Sequence, residues 1–195
     1  MPKETASSLD PARMRRHNLS AVLEIVHKSR GVTRAHLTRE LELNRSTIGD
    51  LVSELSENGW VVEHWDETRT GVGRPSPLVT AANQWLVAAI NPEVDAVEIA
   101  LASLGGAIVE RKRVEVDQPT ASEVAGIVAT EVSAMEKNQA GSKVIAAGIA
   151  VPGLVRRSDG VVRLAPGLGW KDQPLAELVT KALGVPALAA NDAHL

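Results

Sequence analysis

Arg45, Ser46, Thr47 and Asp50 fall within a few residues of one another in a 195-residue chain. A forked cation, two hydroxyls and a carboxylate can donate to and accept from base edges in a major groove and the phosphates beside it. Near the other end stands Asn191-Asp192. A carboxylate that accepts two hydroxyl protons, next to an amide that donates and accepts, suits a vicinal diol; the same pair also reads as an Asx turn closing a strand. Between them lies Gly73-Arg74-Pro75. Glycine and proline keep that backbone slim and extended, so that Arg74 can enter a narrow, strongly negative minor groove; the bland reading is a plain turn.

The elements that must position the first group run from Thr33 to Gly59. Ile48, Leu51, Val52 and Leu55 repeat at i, i+3, i+4 and i+7, which places them on one helical face, opposite the polar group. Asn44 suits the N-cap of that helix and Gly59 the position just past its end. A shorter segment carrying Leu37, Leu41 and Leu43 precedes it, so the pair reads as a helix-turn-helix, with Arg34 at the start of the first helix placed to hold the phosphate backbone. Upstream, Leu19, Val22, Leu23 and Val26 predict another helix from about Met14 to Gly31, and residues 1–13 read as a disordered lead-in. Arg15, Arg16 and His17 at its start form either a solvated face or a phosphate clamp. Downstream, Trp60 to Val62 and Leu78 to Thr80 flank the Gly/Pro segment that holds Arg74, as the strands of a wing would. The expected first domain is a winged helix-turn-helix over residues 14–82.

Composition narrows the possibilities. A hydrophobic content of 44% supports a packed core. The net charge of −3 leaves no globally basic coat, so any DNA contact must be local. Up to Pro75 the chain holds 11 Lys and Arg against 11 Asp and Glu, which makes this part less acidic than the remainder. With no cysteine, disulfides, zinc-thiolate sites and thiol catalysis are excluded, and no metal or cofactor is implied. No leader-like or membrane-length apolar run is present, which implies a cytoplasmic protein without a membrane partner. Phe and Tyr are absent and the four Trp are scattered, which speaks against stacking on single strands, and the expected nucleic-acid partner is double-stranded operator DNA.

From residue 83 the pattern changes. Three apolar, partly alternating runs (WLVAAIN, VDAVEIALASL and GGAIVERKRVEV) read as an antiparallel meander. A helix with Val124, Ile127, Val128 and Val132 in one stripe follows, then the buried strand KVIAAGIAVPG. A hairpin about Asp159-Gly160, a loop at LAPGLGW, a short helix from Leu175 to Leu183 and a strand ending in Asn191-Asp192 complete the chain. Three strands, helix, strand, helix, strand is the order of the first lobe of a ribonuclease H-like α/β domain, so the fold class expected for the whole is mixed α/β.

In the winged helix, Gly73-Arg74-Pro75, the Gly148 to Gly153 strand end, the Ala165 to Trp170 loop and Asn191-Asp192, the chain resembles the ROK family (repressors, open reading frames and sugar kinases), in its regulator branch. The resemblance implies a sugar-responsive repressor of carbohydrate-use genes that binds operators as a homo-oligomer when full length. It implies sugar or sugar-phosphate contacts at Gly153, Gly167, Asn191 and Asp192. Three departures stand out. The family's kinases carry Asp-x-Gly-x-Thr in the first hairpin, where this chain has Asn91-Pro92-Glu93-Val94-Asp95 with no glycine and added carboxylates. Gly167 replaces a sugar-contacting Asn. The chain stops at Leu195, about half the family's full length, so residues 83–195 are expected to be an incomplete effector domain of a C-terminally truncated protein. Two alternatives belong to other classes: a sugar kinase with an appended winged helix, and a winged-helix module that binds protein. The missing phosphate loop weighs against the first, and salt-dependent DNA binding through Arg45 and Arg74 would exclude the second.

Overall fold

The computed structural model describes residues 10–65 and 76–194. The chain divides into two compact units, Met1–Ala82 and Asn83–Leu195.

The first unit contains α1 (Pro11–Ser29), β1 (Val32–Thr33), α2 (Arg34–Glu40), α3 (Arg45–Glu57), β2 (Val61–His64) and β3 (Leu78–Ala81). Helix α1 begins three residues before the expected start. Pro11 sits in its first turn, where a missing N–H costs nothing, and the Asp10 carboxylate accepts from Ala12 N–H at 3.1 Å. Part of the expected disordered lead-in is therefore helical. The apolar stripes meet as their spacing requires: Val22 and Val26 of α1, Leu37 of α2, and Ile48, Leu51, Val52 and Leu55 of α3 are buried together with Val61 and Val79. The three strands form an antiparallel sheet in the order β1-β3-β2. Strand β1 has no signal in the sequence, because two residues carry no readable alternation; Val32 and Thr33 pair with Val79 and Leu78.

The second unit is built on a five-stranded mixed sheet. Its members are β4 (Trp85–Pro92), β5 (Ala96–Ser103), β6 (Ile108–Glu115), β7 (Lys143–Val151) and β11 (Ala187–Asn191), in the order β11-β7-β4-β5-β6. The meander β4-β5-β6 is antiparallel, whereas β7 and β11 run parallel to β4. Helices α4 (Ala121–Asn138) and α5 (Leu175–Leu183) supply the apolar partners of one sheet face. Val124, Val128, Val132 and Met135 pack with Leu86, Ile90, Ile99, Leu101 and Ile149. Thr120 and Glu123 form a reciprocal capping box at the head of α4.

Strands β8 (Leu154–Val155), β9 (Val162–Ala165) and β10 (Trp170–Gln173) form a small antiparallel sheet in the order β10-β9-β8. The expected LAPGLGW loop is in fact a single 3-10 turn at Pro166–Leu168 leading into β10. The charged sequence WKDQ hides this strand. It is held by Trp170, whose buried indole N–H donates to the Pro119 carbonyl at 2.8 Å. No helix among the described residues is long and apolar enough to cross a membrane.

Candidate functional site

In the first unit the polar group sits on α3 as its periodicity demands. The Asn44 side-chain oxygen accepts from Thr47 N–H at 2.8 Å and from the Ser46 hydroxyl at 2.7 Å. Successive residues advance about 100° around the axis, so with Ile48, Leu51, Val52 and Leu55 facing inward, Ser46, Asp50 and Ser53 project opposite them. These three, like Arg45, are exposed; Thr47 is half-buried on one flank of the helix. Arg45 makes no ion pair or side-chain hydrogen bond within the described residues and lies on the other flank, one turn before Gly49.

The structure places Arg34 differently from a free phosphate clamp. Its guanidinium is ion-paired with Glu63 of β2, and the side chains are 29% and 15% exposed. The pair is fixed from behind: Arg34 N–H donates to the Pro77 carbonyl at 3.3 Å, and Ala35 N–H to the Ser76 hydroxyl at 3.1 Å. Arg15 is similarly engaged, its Nε donating to Glu54 of α3 at 2.8 Å. Of the two readings of the basic start of α1, this one residue follows neither; it ties α1 to α3. Arg74 and its neighbours Gly73 and Pro75 lie outside the described residues. No local signal in the sequence marks Glu63, because its partner lies 29 residues away.

In the second unit, β4, β7 and β11 run parallel and end on the same side of the sheet, the edge where open α/β sheets hold ligands. Three of the four expected sugar contacts are linked there. The Asn191 carboxamide donates to the Gly153 carbonyl at 2.8 Å, while its oxygen accepts from Ala193 N–H at 3.1 Å. Asp192 is exposed and accepts from Ala193 N–H at 2.9 Å through one oxygen. Gly153 has a packing reason of its own. A Cβ there would lie 2.5 Å from the Leu164 carbonyl oxygen and 2.8 Å from the Ala165 Cβ. Gly167 is exposed on the 3-10 turn, where a Cβ would meet Val94 of the β4–β5 hairpin at 3.4 Å.

That hairpin is charged. Arg113 of β6 holds Glu93 at 2.6 Å, Asp95 at 2.8 Å and Glu115 at 3.0 Å, and these contacts raise its pKa. On the sheet face opposite α4 and α5 lies a groove of about 730 Å³ floored by Ala89, Ala100, Gly148 and Ala150. Its floor is apolar, and Asn91, Glu98, Arg111 and Arg157 are the polar members of its lining; none of the expected sugar contacts lines it.

Residues 87–195 match the ROK family, and the chain belongs to that family. Among its relatives, a xylose repressor of Caldicellulosiruptor bescii is 26% identical over 180 residues, covering 91% of this chain and 45% of the repressor. A glucokinase of Streptomyces coelicolor is 36% identical over 76 residues, which is 39% of this chain and 24% of the enzyme. The crystal structure of a ROK family transcriptional regulator, a homologue of the E. coli Mlc protein, superposes with a TM-score of 0.69 at 24% identity over 92% of this chain and 46% of its own. That match shows a shared fold. The chain spans about half the length of the curated xylose repressors it matches.

Proposed function

We propose that this chain is the DNA-reading unit and first effector lobe of a sugar-responsive transcriptional repressor. The observation that carries the reading is the exposed edge of α3: short polar side chains at 46, 50 and 53, backed by a buried leucine-rich face and flanked by Arg45. In this reading the first unit is a winged helix-turn-helix. Helix α3 enters the major groove, with Ser46, Thr47 and Asp50 nearest the bases and Arg45 near the phosphates. The segment joining β2 to β3, which contains Arg74 in its sequence, is the wing. Xylose repressors among the relatives support a sugar as effector, with Asp192 as the ligand carboxylate and Asn191 and Gly153 shaping the edge beside it. Homo-oligomeric binding to a two-fold operator belongs to the same reading, as the family resemblance implies.

The glucokinase relative raises a kinase reading for the second unit. The first hairpin speaks against it. Glu93 and Asp95, held by Arg113, occupy the segment that carries the phosphate loop in family kinases, and carboxylates repel phosphate oxygens.

The test is selection of duplexes by the 195-residue chain from a random-sequence pool, followed by binding titrations at several salt concentrations. A defined motif should emerge, log K should fall linearly with log salt, and Arg45→Ala and Arg74→Ala should each reduce the slope by about one. If no motif emerges even at low salt, the DNA reading fails.

A further inference from the structure

The Arg34–Glu63 pair is poorly explained as a stabilising bridge. An arginine that serves only structure commonly meets a carboxylate with two parallel N–H donors. Here Nη2 alone reaches Glu63, while Arg34 Nε and Glu63 Oε2 are buried with no hydrogen-bond partner among the described residues. Leaving a donor and an acceptor unpaired by protein atoms is costly, and each such group asks for an explanation.

The geometry around the pair supplies one. Nη1 lies beside α3 at Gly49, where an ideal Cβ would be 3.6 Å away. Any side chain longer than a methyl at position 49 would compete with the guanidinium for that space. Gly49 also follows Arg45 by one helical turn, so Arg34 brings a second cation to the flank that Arg45 already charges. The backbones of both partners are fixed, Arg34 through the Pro77 carbonyl and Glu63 by its pairing with Val79 in the sheet.

We propose that Glu63 and Gly49 seat Arg34 as a preorganised DNA-contacting guanidinium on the flank of α3. This rests on the DNA-binding reading above. Glu63 is then a positioning residue: it does not touch DNA, but it freezes a long, flexible side chain before the encounter and so spares that ordering cost on binding.

The proposal makes a prediction opposite in sign to simple electrostatics. Removing a carboxylate near a polyanion should tighten binding to any duplex. Glu63→Gln should instead weaken binding to the duplex selected by the wild-type chain about tenfold, the scale of one well-made directional contact. Binding to a random-sequence duplex should stay unchanged or tighten. Arg34→Lys keeps the charge and should retain the salt slope, yet lose a comparable factor on the selected duplex. Gly49→Leu, which fills the space beside Nη1, should act in the same direction. Melting curves of each variant separate this from loss of fold, and Arg34→Lys, with its cation kept beside Glu63, remains informative if Glu63→Gln unfolds. The proposal is overturned if Glu63→Gln binds both duplexes at least as tightly as wild type, or if Arg34→Lys equals wild type on the selected duplex. If the wild-type chain selects no duplex, the functional reading falls first and takes this inference with it.

Discussion

Two glycines on or just beyond β7 allow the small sheet's approach to be tested against a matched control. At Gly153, an added Cβ would meet the Leu164 carbonyl oxygen at 2.5 Å, the Ala165 Cβ at 2.8 Å and the Ala165 Cα at 2.9 Å. Relaxed contacts between such atoms lie near 3.5 Å or beyond, so β9 would have to retreat by about 1 Å. Nothing there is the end of a flexible side chain; the atoms in the way are backbone and a methyl group. Overpacking of this kind costs about 1–3 kcal/mol, and backbone as the obstacle places Gly153→Ala toward the upper figure. In a unit of this size each kcal/mol lowers the melting temperature by about 4–8 °C, which makes the expected fall roughly 10–20 °C. At Gly148 a Cβ would meet nothing within 4 Å, so Gly148→Ala should be neutral or stabilise by up to about 1 kcal/mol. Calorimetry gives the two shifts, and hydrogen exchange locates them: protection should drop across residues 151–165 in Gly153→Ala alone. If Gly153→Ala melts within about 0.5 kcal/mol of Gly148→Ala, a scale at which substitutions away from special features fall, the close approach of β9 does not constrain this position and the argument fails.

Two further outcomes follow from the caps and charges. Asn44→Ala removes the acceptor for both Thr47 N–H and the Ser46 hydroxyl, and should cost about 1 kcal/mol in urea titrations while loosening the first turn of α3. Hydrogen bonds from the Thr120 N–H and hydroxyl hold the Glu123 carboxyl below its ordinary 4.5, and Arg156 holds Asp159 below its ordinary 3.8. Carboxyls with folded pKa values depressed in this way stabilise the fold fully above their unfolded values and stop doing so as pH falls through the folded ones. The melting temperature of the second unit should therefore be flat from neutrality down to about pH 5 and decline below it. Glu123→Gln should make that decline shallower; an unchanged acid limb would refute the assignment.

What the sequence disclosed and what it withheld divide along a physical line. Features set by neighbours a few residues apart were readable. Asn44 caps α3, Val124, Val128 and Val132 face the core, and the strand order of the meander follows its alternation. Features set by tertiary encounter were not. Glu63 gains meaning only because the sheet carries it to Arg34, Arg15 is spent on Glu54, and β10 exists because Trp170 finds the Pro119 carbonyl 51 residues away. The expected start of α1 lies three residues late for a local reason: the apolar stripe begins after the Asp10-Pro11 cap that starts the helix.

The Asn191-Asp192 pair shows why the two kinds of signal must be kept apart. As a dipeptide it supports both a diol site and an Asx turn, and in the structure its two members are bonded differently. Asn191 spends its amide on Gly153 and its oxygen on Ala193, so its chemistry is consumed in joining the end of β11 to the turn after β7. Asp192, exposed and bonded through one oxygen to its neighbour, keeps the other oxygen without a hydrogen bond among the described residues. On the proposed reading, a ligand hydroxyl at this edge would donate its first hydrogen bond to the Asp192 carboxylate, beside the Asn191–Gly153 bond that joins β11 to the turn after β7. In the first unit the proposed role of Glu63 toward Arg34 likewise rests on a tertiary contact, their ion pair. Asn191 could be singled out from its type because it adjoins Asp192 in the chain, whereas Glu63 could not, because only the fold brings it to Arg34.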